Sequence, residues 1–168
     1  MASQSCPSSP APLCPGRVSH DVVTVAGPFT AAPTGGGSYT YIAVRHTASG
    51  EYRIRVRLAP RSTTLQVTSL VSGTETVFAQ TTVAGLVYNL GDVLRIKFNV
   101  SGSGTTALQA KVWKVGTSEP AAWQIDTTNS NAALQGPGTF GLLGYLSGGA
   151  GTVAPLTFQF DNLSVTQS

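Results

Sequence analysis

Three arginines, Arg53, Arg55 and Arg57, alternate with Tyr52, Ile54, Val56 and Leu58. A period of two puts the arginines on one face of a strand and the apolar residues on the other. Arg95 and Lys97 repeat the pattern against Leu94, Ile96, Phe98 and Val100, and Lys111 shares its parity with Trp113 further along. If these strands share a sheet, six cations line one face with an indole among them. Guanidinium groups bond hydroxyls and carboxylates in fork geometry, and aromatic rings stack on apolar molecular faces. Such a surface suits a neutral or acidic polysaccharide. The same pattern serves equally as a solvated outer face whose charges discourage edge pairing, with Trp113 as a packing residue. Trp123 follows Glu119-Pro120-Ala121-Ala122 at a strand entrance and is expected to plug the rim, ligand contact being the alternative.

Catalytic patterns are missing from the sequence. Glycoside hydrolysis needs paired carboxylates flanking the scissile bond. The seven acids are widely spread, and Glu51, Glu75 and Glu119 fall at strand ends or turns. There is no G-x-S-x-G elbow, and neither His20 nor His46 has a nucleophile in a motif. The glycine-rich segments join strands and open no helix, so no phosphate loop is formed. The expectation is a protein that is not an enzyme. Calcium takes about six to eight oxygen ligands. No D-x-D-x-D run exists, which leaves Asp161 and Asp126 as candidates for structural calcium; no other cofactor is expected. Cys6, Cys14, His20 and His46 do not make a zinc ligand set.

The elements that must carry these side chains read as strands. The chain has 168 residues, which suits one domain. Only 10% of residues are charged, against about 25% in an average soluble domain, and Ser, Thr, Gly and Pro fill the difference. The net charge of +3 comes from few acids and not from a basic run, so a nucleic-acid partner is not expected. No apolar stretch approaches the ~20 residues of a membrane span. The start, Met1-Ala2-Ser3-Gln4-Ser5-Cys6-Pro7, does not read as a signal peptide. Residues 1–19, with four prolines, are expected as an arm, in which Cys6 and Cys14 either close a small disulfide loop or remain thiols. Residues 20–168 form the domain. Alternation and turn signals predict strands over 21–25, 38–45, 51–58, 64–70, 75–82, 93–100, 107–115, 122–127, 139–146 and 156–165, with room for one helical turn at 129–134. Strands so evenly spaced, each apolar on one face, imply an all-β, antiparallel two-sheet sandwich.

Some segments also match a known family. Leu108-Gln109-Ala110-Lys111-Val112-Trp113, followed by Gly116-Thr117-Ser118-Glu119-Pro120-Ala121-Ala122-Trp123, forms a signature hairpin. Tyr88-Asn89-Leu90-Gly91-Asp92 precedes it, Gly50-Glu51-Tyr52-Arg53 opens an earlier strand, and Phe158-Gln159-Phe160-Asp161-Asn162-Leu163 stands near the end. Over residues 21–166 the chain resembles the concanavalin A-like, laminin-G-type jelly rolls. These are appended to secreted proteins of high-GC Gram-positive bacteria and occur in phage structural proteins. The resemblance implies a non-catalytic, lectin-like module that binds a glycan for adhesion or targeting, outside the cell or on a virion surface. Its alternatives are a structural subunit, such as a virion decoration or tail protein, a spacer domain of a surface protein, and a hydrolase that has lost its carboxylates. Family members carry further N-terminal strands that pair with the last strand. Without them the sheet should keep an open edge, available to a second copy or a neighbouring subunit.

Overall fold

The computed structural model describes residues 18–26, 36–148 and 157–167. Among these residues ten strands follow in order: β1 (Val18–Ala26), β2 (Ser38–Thr47), β3 (Gly50–Ala59), β4 (Ser62–Val71), β5 (Thr74–Thr82), β6 (Val93–Ser101), β7 (Thr106–Lys114), β8 (Ile125–Asn129), β9 (Thr139–Leu146) and β10 (Phe158–Gln167). Among the described residues, one 3-10 turn (Ala132–Leu134) stands before β9, inside the segment expected to hold one. Asn131 caps it by accepting a hydrogen bond from the Ala133 amide at 3.0 Å. The strands form two five-stranded antiparallel sheets. Sheet A has the order β10-β1-β6-β7-β8, and sheet B the order β5-β4-β3-β2-β9.

The expected sandwich is therefore present, with β1 starting two residues before the segment expected as the domain. Of the expected arm, residues 1–17, with Cys6 and Cys14, lie outside the described residues, whereas Val18 and Ser19 open β1. β10, the last strand, pairs with β1 on one side and, among the described residues, with nothing on the other. The resemblance implies that the last strand lacks an N-terminal partner; here β1 supplies one along its length.

Alternation builds the core. Tyr52, Ile54, Val56 and Leu58 of β3, with Leu65 and Val67 of β4, face Leu94, Ile96, Phe98, Leu108 and Val112 of the opposite sheet, all buried in one cluster. Hairpin chemistry sets the register. Ser72 and Gly73 both take positive φ (50° and 78°), the two-residue turn whose twist suits a hairpin, and Val71 pairs with Thr74 across it.

One irregularity redirects a side chain. The pairing of β2 shifts between Val44 and Thr47 against β3, and between Ala43 and His46 against β9, with Arg45 at φ 52°. A bulge of this kind reverses the facing of the residue it contains. Strict alternation would send Arg45 outward with Tyr39 and Tyr41. It instead lies buried, where Nη1 donates to Thr106 Oγ1 at 2.6 Å and Nη2 to the Gly102 carbonyl at 2.6 Å. Burial lowers the pKa of its guanidinium below the ordinary arginine value.

Candidate functional site

The six cations do not share a face. Arg53, Arg55 and Arg57 lie on β3 of sheet B, whereas Arg95, Lys97, Lys111 and Trp113 lie on β6 and β7 of sheet A. The chain changes sheets between β5 and β6, so equal parity places the two groups on opposite outer surfaces of the sandwich.

On the outer face of sheet B, the strand register sets side chains in rows. One row runs Tyr145, Tyr39, Arg57, Thr64, Thr82; the next runs Leu143, Tyr41, Arg55, Gln66, Gln80. The arginines lie against the tyrosines of β2. The Arg55 guanidinium is 5.2 Å from the Tyr39 ring centroid and 5.8 Å from that of Tyr41, Arg53 is 5.4 Å from Tyr41, and Arg57 is 6.0 Å from Tyr39. Tyr39 also packs on Tyr145 at 5.8 Å between centroids. Burial raises the Tyr41 hydroxyl above its ordinary pKa, opposed by the hydrogen bond and charge of Arg55, so at neutral pH it stays a donor.

Towards β5 the face is held by a polar network. Arg55 Nε donates to Gln66 Oε1 at 2.6 Å, and Gln66 Nε2 donates to Gln80 Oε1 at 2.9 Å. Arg55 Nη1 donates to Glu75 Oε2 at 3.1 Å, while Thr68 Oγ1 donates to Glu75 Oε1 at 2.8 Å. Arg53 pairs with Glu51 and Glu75, and His46 Nδ1 lies 2.6 Å from Glu51 Oε2. Both carboxylates of this face are thus engaged by arginines. What the face offers is fixed rings, fork donors and amides, groups that can stack on and hydrogen-bond to hydroxyl-rich molecules. Tyr39, Tyr41, Tyr145, Gln66 and Glu75 were not among the residues expected from the sequence. The run Tyr39-Thr40-Tyr41 did carry a signal, since residues two apart on a strand share a face.

On sheet A, Lys111 and Trp113 are covered. The segment after β7 folds back so that Glu119 Oε1 meets Lys111 Nζ at 2.6 Å and Lys97 Nζ at 3.4 Å. Lys111 also donates to the Pro120 carbonyl at 2.8 Å and stands 4.9 Å from the Trp123 ring centroid. Lys111 is only 7% exposed and Trp113 only 6%. Hydrogen bonding from Lys111 holds the Glu119 carboxyl below its ordinary pKa. Just before the start of β8, the Gln124 side chain takes the place of a neighbouring strand: it accepts from the Val112 amide at 2.9 Å and donates to the Val112 carbonyl at 3.0 Å. Trp113 thereby borders a cleft of about 340 Å³ between this segment and Val83, Ala84 and Leu86. Arg95 remains exposed.

The two calcium candidates stand apart. Asp126 is on β8 and Asp161 on β10, at opposite edges of sheet A and so ~19 Å apart by strand spacing. Asp126 accepts from Gln109 Nε2 at 2.9 Å, and Asp161 accepts from the Asn162 amide at 2.8 Å. No three His, Cys, Asp or Glu side chains converge among the described residues.

No family model matches the chain, and no curated protein matches it. Solved structures do. A carbohydrate-binding module, CBM66, from Bacillus subtilis is 14% identical with a TM-score of 0.59, over 91% of this chain and 76% of that one. CG-16, a homodimeric agglutinin from chicken liver, is 12% identical with a TM-score of 0.50, over 93% and 95%. The enzymatically active domain of tailspike protein 2 from bacteriophage CBA120 is 14% identical with a TM-score of 0.53; 95% of this chain spans 23% of that one. At such identities the likeness establishes the β-sandwich fold and nothing finer.

Proposed function

We propose that this chain is a non-catalytic carbohydrate-binding module of the concanavalin A-like, laminin-G-type kind, acting in adhesion or targeting outside the cell or on a virion. The platform is the outer face of sheet B. The observation that carries the reading is the ladder of Tyr39, Tyr41 and Tyr145 interleaved with Arg53, Arg55 and Arg57 on one face. Its rings are already oriented and its guanidinium groups already fixed by neighbours, so binding a sugar orders little. The sheet A residues Arg95, Lys97, Lys111 and Trp113 are left outside the platform, because Glu119, Pro120 and Trp123 occupy the surface around the two lysines.

The test is a glycan array followed by titration calorimetry on a bound glycan, comparing the chain with the Tyr39→Ala, Arg55→Ala double variant. Losing one stacking surface and one fork donor should cost about 2 kcal/mol, or roughly thirtyfold in affinity. Unchanged affinity in a folded double variant would refute the platform.

A second reading, a subunit of a larger assembly, draws on β9. This edge strand has no charge and no proline, and it exposes Phe140 and Leu143, whereas natural edges are usually protected. A blank array together with a defined oligomer by light scattering would favour it.

A further inference from the structure

The charge on the sheet B face is unevenly compensated, and the imbalance falls on one arginine. Arg53 and Arg55 are answered by Glu51 and Glu75, which stand towards the β2–β3 turn. Arg57 lies at the other end of β3 and pairs with no carboxylate among the described residues. Its Nε donates to the Gly36 carbonyl at 3.0 Å, which fixes the plane of the guanidinium while leaving Nη1 and Nη2 without a bond to a described residue. No acid stands in its row of Tyr145, Tyr39, Thr64 and Thr82, and the adjoining turn adds a further exposed cation, Arg61. Beside it, Tyr145 is 53% exposed and packs on Tyr39, which lies beneath the Arg57 guanidinium.

From this geometry we propose that the platform recognises an anionic sugar, with Arg57 as the seat of its negative group. The inference rests on the carbohydrate-binding reading and names its ligand class. A pyranose ring laid over the exposed Tyr145 would hold an exocyclic carboxylate or sulfate about one strand spacing away, on the Arg57 fork that stands over Tyr39. A neutral sugar in the same place would take water from a guanidinium and return no counter-charge. Arg53 and Arg55 do not compete for the anion, because their charge is already met by Glu51 and Glu75.

The experiment uses the full chain on an array of neutral, carboxylated and sulfated glycans, the carboxylated ones also printed as methyl esters. The expected result is binding to anionic glycans, with signal on neutral ones at least about tenfold lower. Arg57→Gln should remove that preference, with an unfolding midpoint close to the parent. Two arms separate the possible anions. If the group is a carboxylate, esterification abolishes binding; if it is a sulfate, the sulfated glycans bind and carboxylated ones do not. Neutral glycans bound as well as anionic ones, or an Arg57→Gln variant that keeps the anionic preference, would overturn the inference. Neutral binding that Tyr39→Ala, Arg55→Ala removes would leave the platform standing and overturn only its ligand class. Glycans of every class left unbound would overturn both.

Discussion

Arg45 offers the sharpest test of how the sandwich is held together. Its guanidinium joins three pieces of chain that meet at one end of the core: Thr106 at the start of β7, Gly102 in the turn before it, and the Leu134 carbonyl in the 3-10 turn. All of its described acceptors are neutral. Replacing Arg45 by alanine leaves two carbonyls and a hydroxyl without their donor. Hydrogen bonds from a charged donor contribute about 1.5–3 kcal/mol each. The two at 2.6 Å count fully and the one at 3.4 Å little. Against this stands the cost of burying the charge, which its lowered pKa reflects. A net loss of about 3 kcal/mol follows, and at roughly 2–4 °C per kcal/mol the midpoint should fall by about 6–12 °C. Backbone strain supplies a control. At φ 52° alanine keeps the left-handed conformation that glycine adopts freely, so Arg45→Gly should be less destabilised than Arg45→Ala by about 0.5–1 kcal/mol. Thermal and urea unfolding measure both. A midpoint shift below about 2 °C for Arg45→Ala would refute the role assigned to the buried guanidinium.

Two further perturbations address other joints. A Cβ on Gly144 of β9 would overlap the Phe158 ring of β10, so Gly144→Ala should cost about 1–3 kcal/mol, and Phe158→Leu should recover part of it. Equal midpoints for the parent and Gly144→Ala would show that the two strands do not meet there. Acid should free the segment over sheet A. The carboxyl of Glu119 has a folded pKa below its unfolded one, so its pairing contributes above the ordinary glutamate range and is lost as pH falls through the lowered value. Fluorescence of Trp123, which carries Lys111 over its ring, should change below about pH 4 and not between pH 5 and 7. The change should be absent in Glu119→Gln; its persistence there would assign it to another acid, with Asp92 the nearest alternative because its pairing with Lys114 is also lost in acid.

Much of the fold was written in local alternation. Leu94, Ile96, Phe98 and Val100 on β6, like Tyr52, Ile54, Val56 and Leu58 on β3, fix which face is buried, because a slip of one residue would expose the whole set. Alternation does not record which sheet a strand joins. Arg57 and Arg95 follow the same rule, yet the connection between β5 and β6 carries the second to the opposite side of the sandwich. Arg45 escaped for a different reason. Its direction depends on a bulge, set by pairing with two other strands at once, and nothing in the run Ala43-Val44-Arg45-His46 marks the extra residue.

The site was legible to the extent that it depended on a single strand. Arg53, Arg55 and Arg57 were visible as a set because β3 alone aligns them. Their meaning depends on β2 and β9, which supply the rings, and on β5, which supplies Glu75. Tyr39 meets Arg57, and Tyr41 meets Arg55, only through the β2–β3 register, while Glu75 reaches Arg55 across β4. Lys111 and Trp113 show the converse. They share a parity, but the segment that folds back over them is held by Glu119 and Gln124, single polar residues whose partners lie 8 to 22 positions away on β6 and β7. The same outward pattern therefore yields an arginine–tyrosine network on one sheet and, on the other, a lysine–glutamate cluster beside a segment that folds back over it. What separates them is the placement of a few acids. On sheet B two carboxylates serve Arg53 and Arg55 and leave Arg57 without one among the described residues, whereas on sheet A one glutamate serves both Lys97 and Lys111.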